Sequence, residues 1–128
     1  MNKIIEVSSL SKSYGNIKAV KNIDFYVDEG AMFAFLGVNG AGKSTTIDMI
    51  CTLLKPDSGK IVIDGLTIGE NDDKIRKSIG IVFQDSVLDP LLTVKENLQI
   101  RGSFYGLTKT ELKKAIEKAA KDTDVSEF

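Results

Sequence analysis

An α/β fold is predicted for this chain of 128 residues by three observations. Short, partly alternating apolar runs open it, as in antiparallel strands. A compact apolar run then leads through a glycine-rich loop into a helical pattern, and strand-like and helix-like segments alternate afterwards. A hydrophobic share of 42% is enough apolar side chain for the core of one domain.

The opening stretch KIIEVSSLSKSYGNIKAVKNIDFYVDEG is broken by turn residues at YGN and DEG. It is therefore read as antiparallel strands forming a β layer. Next comes AMFAFLG, Ala31 to Gly37, a continuous apolar run of strand length, which predicts a strand covered on both faces.

The loop that follows carries the chemistry. Gly37, Gly42, Lys43 and Ser44 in FLGVNGAGKSTT fit the spacing G-x-x-x-x-G-K-[ST] of a phosphate-binding loop. Such a loop turns its backbone N–H groups towards phosphate oxygens, and glycine permits both the close approach and the positive φ angles of that turn. Asn39, Gly40, Ala41 and Gly42 line it on this reading. The helix N-terminus around Lys43 to Thr45 adds unpaired N–H groups and the positive end of a dipole. Lys43 is expected to reach the β and γ phosphates and Ser44 to ligate Mg²⁺. The fold class sharpens accordingly to that of the phosphate-loop (P-loop) nucleotide triphosphatases.

Downstream, Ile47, Ile50, Cys51 and Leu54 fall on one helical face, and the pattern stops before Pro56 and Gly59. Cys51 is read as a core residue on that face. DSGKIVIDGLTIG predicts turn, strand, turn; DDKIRKS predicts a short helix; and IGIVFQ predicts another strand. Two capping boxes follow, Thr93 with Glu96 and Thr108 with Glu111, which predict helices over about 94–105 and 109–122. In the second, Leu112, Ala115, Ile116 and Ala119 make one apolar face opposite charged residues. The domain reading is a nucleotide-binding α/β core with its β layer over 1–92 and the start of a helical subdomain over 93–128.

Bulk charge excludes a broad nucleic-acid footprint, because 17 basic and 18 acidic residues leave a net charge of −1. No nucleic-acid partner is expected, and anion binding must be local. A single cysteine suits a reducing compartment, no apolar stretch reaches the roughly 18 residues of a membrane span, and MNKIIEVSS lacks the apolar core of a signal peptide. A cytoplasmic location is expected.

Three further features resemble the ATP-binding domains of ABC transporters. SKSYGN places Tyr14 just before the phosphate loop, like the aromatic that stacks on adenine in that family. GIVFQD, Gly80 to Asp85, resembles the family's Q-loop, which implies that Gln84 serves the γ phosphate, its Mg²⁺ and the transport subunit. The order of LLKPDSGKIVIDG, the glutamine and LLTVKENL is similar as well, and LLTVKENLQIRGSFYGL is similar to the drug and antibiotic export branch. The resemblance implies ATP and Mg²⁺ as ligands, with Lys43 and Gln84 on the catalytic side. It also implies a transmembrane permease subunit or domain as partner, a second ATP-binding domain in a head-to-tail dimer, and a peripheral place on the inner face of the cell membrane.

Such a family completes its site with an LSGGQ signature, an apolar strand ending in Asp-Glu, and a switch histidine. None occurs in these residues, and the histidine count is zero. The chain is therefore expected to be the N-terminal part of a longer ATP hydrolase, with little turnover alone. Two other readings stay open: a phosphate-loop module that binds nucleotide without turnover, and another phosphate-loop enzyme such as a GTPase or kinase. A GTPase should carry a guanine-reading NKxD, which is absent.

Overall fold

The structure, a computed structural model, describes residues 2–125; the last three residues of the predicted helical segment lie outside the described residues. The chain divides into two compact units, Met1–Val82 and Phe83–Phe128.

In the first unit, β1 (Lys3–Tyr14) and β2 (Ile17–Asp28) form a long antiparallel hairpin around the two-residue turn Gly15–Asn16. β3 (Ser58–Ile63) pairs antiparallel with the other edge of β1, and β4 (Leu66–Thr67) adds a short edge, giving the order β2-β1-β3-β4. The expected β layer is thus present, and DSGKIVIDGLTIG supplies two strands instead of one. The ladder between β1 and β2 shifts register between Val7 and Leu10, where Ser9 has φ 51. There the Asp24 carboxylate accepts the Ser9 N–H at 2.8 Å, so the irregular residue keeps a partner.

α1 (Lys43–Ile50) and α2 (Asp72–Ser78) complete the unit. Its core gathers Val7, Leu10, Val20, Ile61 and Ile63 from the sheet with Met49 of α1 and Ile75 of α2. Ile61 and Ile63 alternate along β3 as a strand period of two requires, and the register shift after Val7 brings Leu10, three residues on, into the same core. The helix presents a different face from the expected one. Thr46 and Met49 are buried, Ile47 is 45% exposed, Ile50 and Leu54 are partly buried against the core, and Cys51 lies past the last helical turn, half-buried. The helix stops after eight residues, with Thr52 at φ 61, so the expected i to i+7 stripe never completes two turns.

Two expected strands are corrected. Residues 31–37 and 79–84 form no strand; among the described residues none pairs with either. A strand exists only through a ladder to a neighbour, so apolar composition alone did not suffice. Met32 is fully exposed and Leu36 92% exposed, while Phe33 and Phe35 turn onto β2. Phe33 stacks on Phe25 at 5.3 Å, and Phe35 meets both rings edge-on at 5.1 Å, arrangements that the ring quadrupoles favour. Val82 is 99% exposed.

The second unit contains α3 (Val94–Ser103) and α4 (Lys109–Asp122). Both capping boxes are formed: Thr93 and Thr108 accept from the backbone of Glu96 and Glu111, whose carboxylates accept the threonine N–H groups at 2.8 and 2.9 Å. α3 ends two residues before the expected boundary because Phe104 and Tyr105 donate to carbonyls three residues back, a tightened last turn. Gly102 lets the helices approach, since a Cβ there would lie 2.3 Å from Leu112 Cδ1.

Candidate phosphate-binding site

The glycine-rich loop follows the unpaired segment 31–37 and enters α1 directly. Gly42 is the residue before the helix, at φ 82 and ψ 8, and no side chain caps the helix N-terminus. The first N–H groups of α1 therefore lack a side-chain acceptor, which is the electrostatic setting an anion fits. Thr46 closes the turn instead, donating both its N–H and its hydroxyl to Gly42 O, at 2.9 and 2.8 Å.

Backbone sterics fix this geometry. A Cβ on Gly42 would stand 2.2 Å from Ala19 O and 3.3 Å from a methyl of Val20, so the loop lies against β2 closer than any side chain allows. Gly40 shares φ 82 but faces open space. The loop thus demands glycine at 42 for contact as well as conformation and at 40 for conformation alone.

Lys43 is folded back over the loop. Its Nζ donates to Gly37 O at 2.7 Å and Val38 O at 2.8 Å, which holds the ammonium above the curl of backbone. Asn39, Gly40, Ala41 and Ser44 are exposed, and Gly42, Lys43 and Thr45 are half-buried. The structure therefore brings the sequence-predicted residues 37 to 45 into one continuous loop and helix start. Among the described residues no group of histidine, cysteine or acidic side chains could hold a metal.

Tyr14 stands at the end of β1, paired with Ile17 across the hairpin turn and 50% exposed. The same hairpin carries Ala19, the residue that Gly42 touches. Gln84 is exposed and belongs to the second unit.

Two residues that the sequence left unremarked organise the surroundings. Asp57 accepts from Lys12 Nζ at 2.7 Å and from the Ser13 N–H at 2.7 Å, and these contacts hold its carboxyl below the usual range. Asn97, buried in α3, accepts the Asp89 N–H at 2.9 Å and donates to the carbonyls of Asp89, Leu92 and Thr93, which ties down the loop before the helix. Cys51 is not part of the site: burial, aided by Asp48, raises its thiol pKa and so disfavours the thiolate.

Comparison with known proteins agrees with this geometry. The profile of the family described as ABC transporter matches residues 20–128. The chain is 46% identical over 111 residues to the linearmycin resistance ATP-binding protein of Bacillus subtilis, covering 87% of the chain and 36% of that protein. It is 39% identical over 117 residues to the Nod factor export ATP-binding protein I of a Rhizobium strain, covering 91% and 38% respectively. Among solved structures, cbiO1 of Clostridium perfringens, part of the ABC transporter complex cbiONQ, superposes with a TM-score of 0.84 at 32% identity, over 99% of this chain and 53% of that one. A dimeric ATP-binding cassette, MJ0796, in a post-hydrolysis state with ADP and Pi, superposes with a TM-score of 0.75 at 32% identity, over 91% and 56%. The chain thus spans little more than a third of these curated relatives.

Proposed function

The chain belongs to the ABC transporter family, and from that premise we propose that it binds Mg-ATP at residues 37–45 as part of an ATPase that drives membrane transport. The observation that carries the proposal is the uncapped start of α1 beneath a lysine held at the loop carbonyls. Backbone N–H groups from Asn39 to Thr45 receive the phosphates, that of Ala41 by leaving Val38 O, and Lys43 exchanges its carbonyl partners for β and γ oxygens. Ser44 would hold the Mg²⁺ that accompanies the triphosphate, and the metal would supply charge neutralisation for those oxygens. Tyr14 offers its exposed ring to adenine, and Gln84 is assigned to the γ phosphate, its metal and the transport partner.

The transmembrane permease and a second, head-to-tail ATP-binding domain complete the machine on this reading, at the inner face of the membrane. Export is the direction proposed, because the relatives include proteins named for linearmycin resistance and Nod factor export. Residues 1–92 form the nucleotide-binding core in this assignment, and 93–128 begin the helical subdomain.

Titration with Mg-ATP tests the site. Micromolar or weaker binding is expected, and Lys43→Ala should weaken it by about tenfold to a hundredfold, the worth of one charge-assisted contact. Unchanged affinity would remove the assignment. Steady-state hydrolysis by these 128 residues should stay near background, since they hold no histidine and no apolar run ending in Asp-Glu. Those absences also favour the second reading, a binding module without turnover. Multiple turnovers abolished by Gln84→Ala would exclude it.

A further inference from the structure

We propose that Asp57 is a positioning residue for adenine recognition, acting through the backbone and side chain immediately before Tyr14. This rests on the reading of Tyr14 as the base-stacking ring.

β3 begins at Ser58, which faces Ser11, and beyond that pair β1 runs on to Tyr14 without a β3 residue beside it. Asp57 fills the gap. Its N–H donates to Ser11 O at 3.0 Å, which anchors the residue to the strand. One carboxylate oxygen then takes the Ser13 N–H at 2.7 Å, as a strand carbonyl would, and the other takes Lys12 Nζ at 2.7 Å. Three consecutive links to residues 11, 12 and 13 thus come from one aspartate, and Tyr14 is next in the chain.

Lys12 carries the restraint to the ring itself. Its side chain is largely covered, 14% exposed, and its Nζ lies 6.0 Å from the Tyr14 ring centroid while bound to Asp57. The carboxylate therefore determines where the ammonium stands over one face of the ring. A ring held in this way is ordered before a base arrives, so less side-chain entropy is lost on stacking. Among the described residues no other side chain outside the β1–β2 hairpin hydrogen-bonds Lys12 or the Ser13 N–H.

The test is a double-mutant cycle read with two probes, Mg-ATP and inorganic tripolyphosphate. Asp57→Ala should weaken Mg-ATP by about twofold to tenfold while leaving tripolyphosphate unchanged, and should have no further effect in a Tyr14→Ala background. Asp57→Asn, which keeps an acceptor for the Ser13 N–H, should show a smaller loss of the same selectivity and serves where the alanine variant melts too low. A loss shared by both probes, or one that adds fully to that of Tyr14→Ala, would make Asp57 merely structural and overturn the proposal. Full affinity in Asp57→Ala beside a selective loss in Tyr14→Ala would overturn it too, with the role of Tyr14 intact. Equal losses of both probes in Tyr14→Ala would instead remove the stacking role itself.

Discussion

At the scale of the residue, the site depends on two glycines that look equivalent and are not. Both Gly40 and Gly42 have φ 82, but only Gly42 has a carbonyl, Ala19 O, where a Cβ would stand. Gly40→Ala should therefore cost only the left-handed conformation, about 1 to 2 kcal/mol. Gly42→Ala adds a 2.2 Å collision with backbone that cannot move without the hairpin, and its melting temperature should fall well below that of Gly40→Ala, by several degrees or more. Equal melts for the two variants would show that the loop does not rest on β2. Gly42 and Lys43 were legible from spacing alone, because phosphate cradles need those residue types in that order. Asp57 was not legible. Its partner Ser13 is 44 positions away, and nothing local in KPDSG distinguishes that aspartate from an ordinary turn residue.

At the scale of the element, helices were read more faithfully than strands. α3 and α4 begin where their capping boxes predict, since both members of each box lie within four consecutive residues. The strands expected at 31–37 and 79–84 did not form, because pairing is settled by whatever lies alongside, which no window of sequence contains. The caps lead to a pH prediction. Hydrogen bonds from Thr93 and Thr108 lower the pKa values of Glu96 and Glu111, so the folded form holds these protons less tightly than the unfolded chain. Their stabilisation is fully present above the ordinary carboxylate range and is lost as the pH falls through the lowered folded values. Thr93→Val with Thr108→Val should reduce helicity near neutrality and flatten the acid limb of the circular dichroism titration. An acid limb unchanged by both substitutions would show that the boxes contribute nothing there.

At the scale of the whole molecule, large apolar side chains lie exposed outside the core that Val7, Leu10 and their neighbours build. Met32, Leu36 and Val82 are almost bare and Val38 is largely exposed, and among the described residues no strand pairs with the segment that holds Met32, Leu36 and Val38. Exposed apolar segments without a ladder recruit other chains. These 128 residues should therefore self-associate with rising concentration, bind a hydrophobic dye and melt over a broad range. A strictly monomeric particle with a sharp transition and no dye binding would contradict this. The sheet has a consequence for the order of events. β1 is the one strand laddered along much of its length on both sides, whereas residues 31–38 have no ladder among the described residues. Amide protons on β1 should accordingly outlast those of the segment leading into the loop by a wide margin, because opening energies follow local pairing and burial. The strand assigned to the base is then rigid in advance, and the segment leading into the loop assigned to the phosphates is the part that an arriving triphosphate would have to quieten. Recognition would begin against a stiff platform and finish by freezing a supple one.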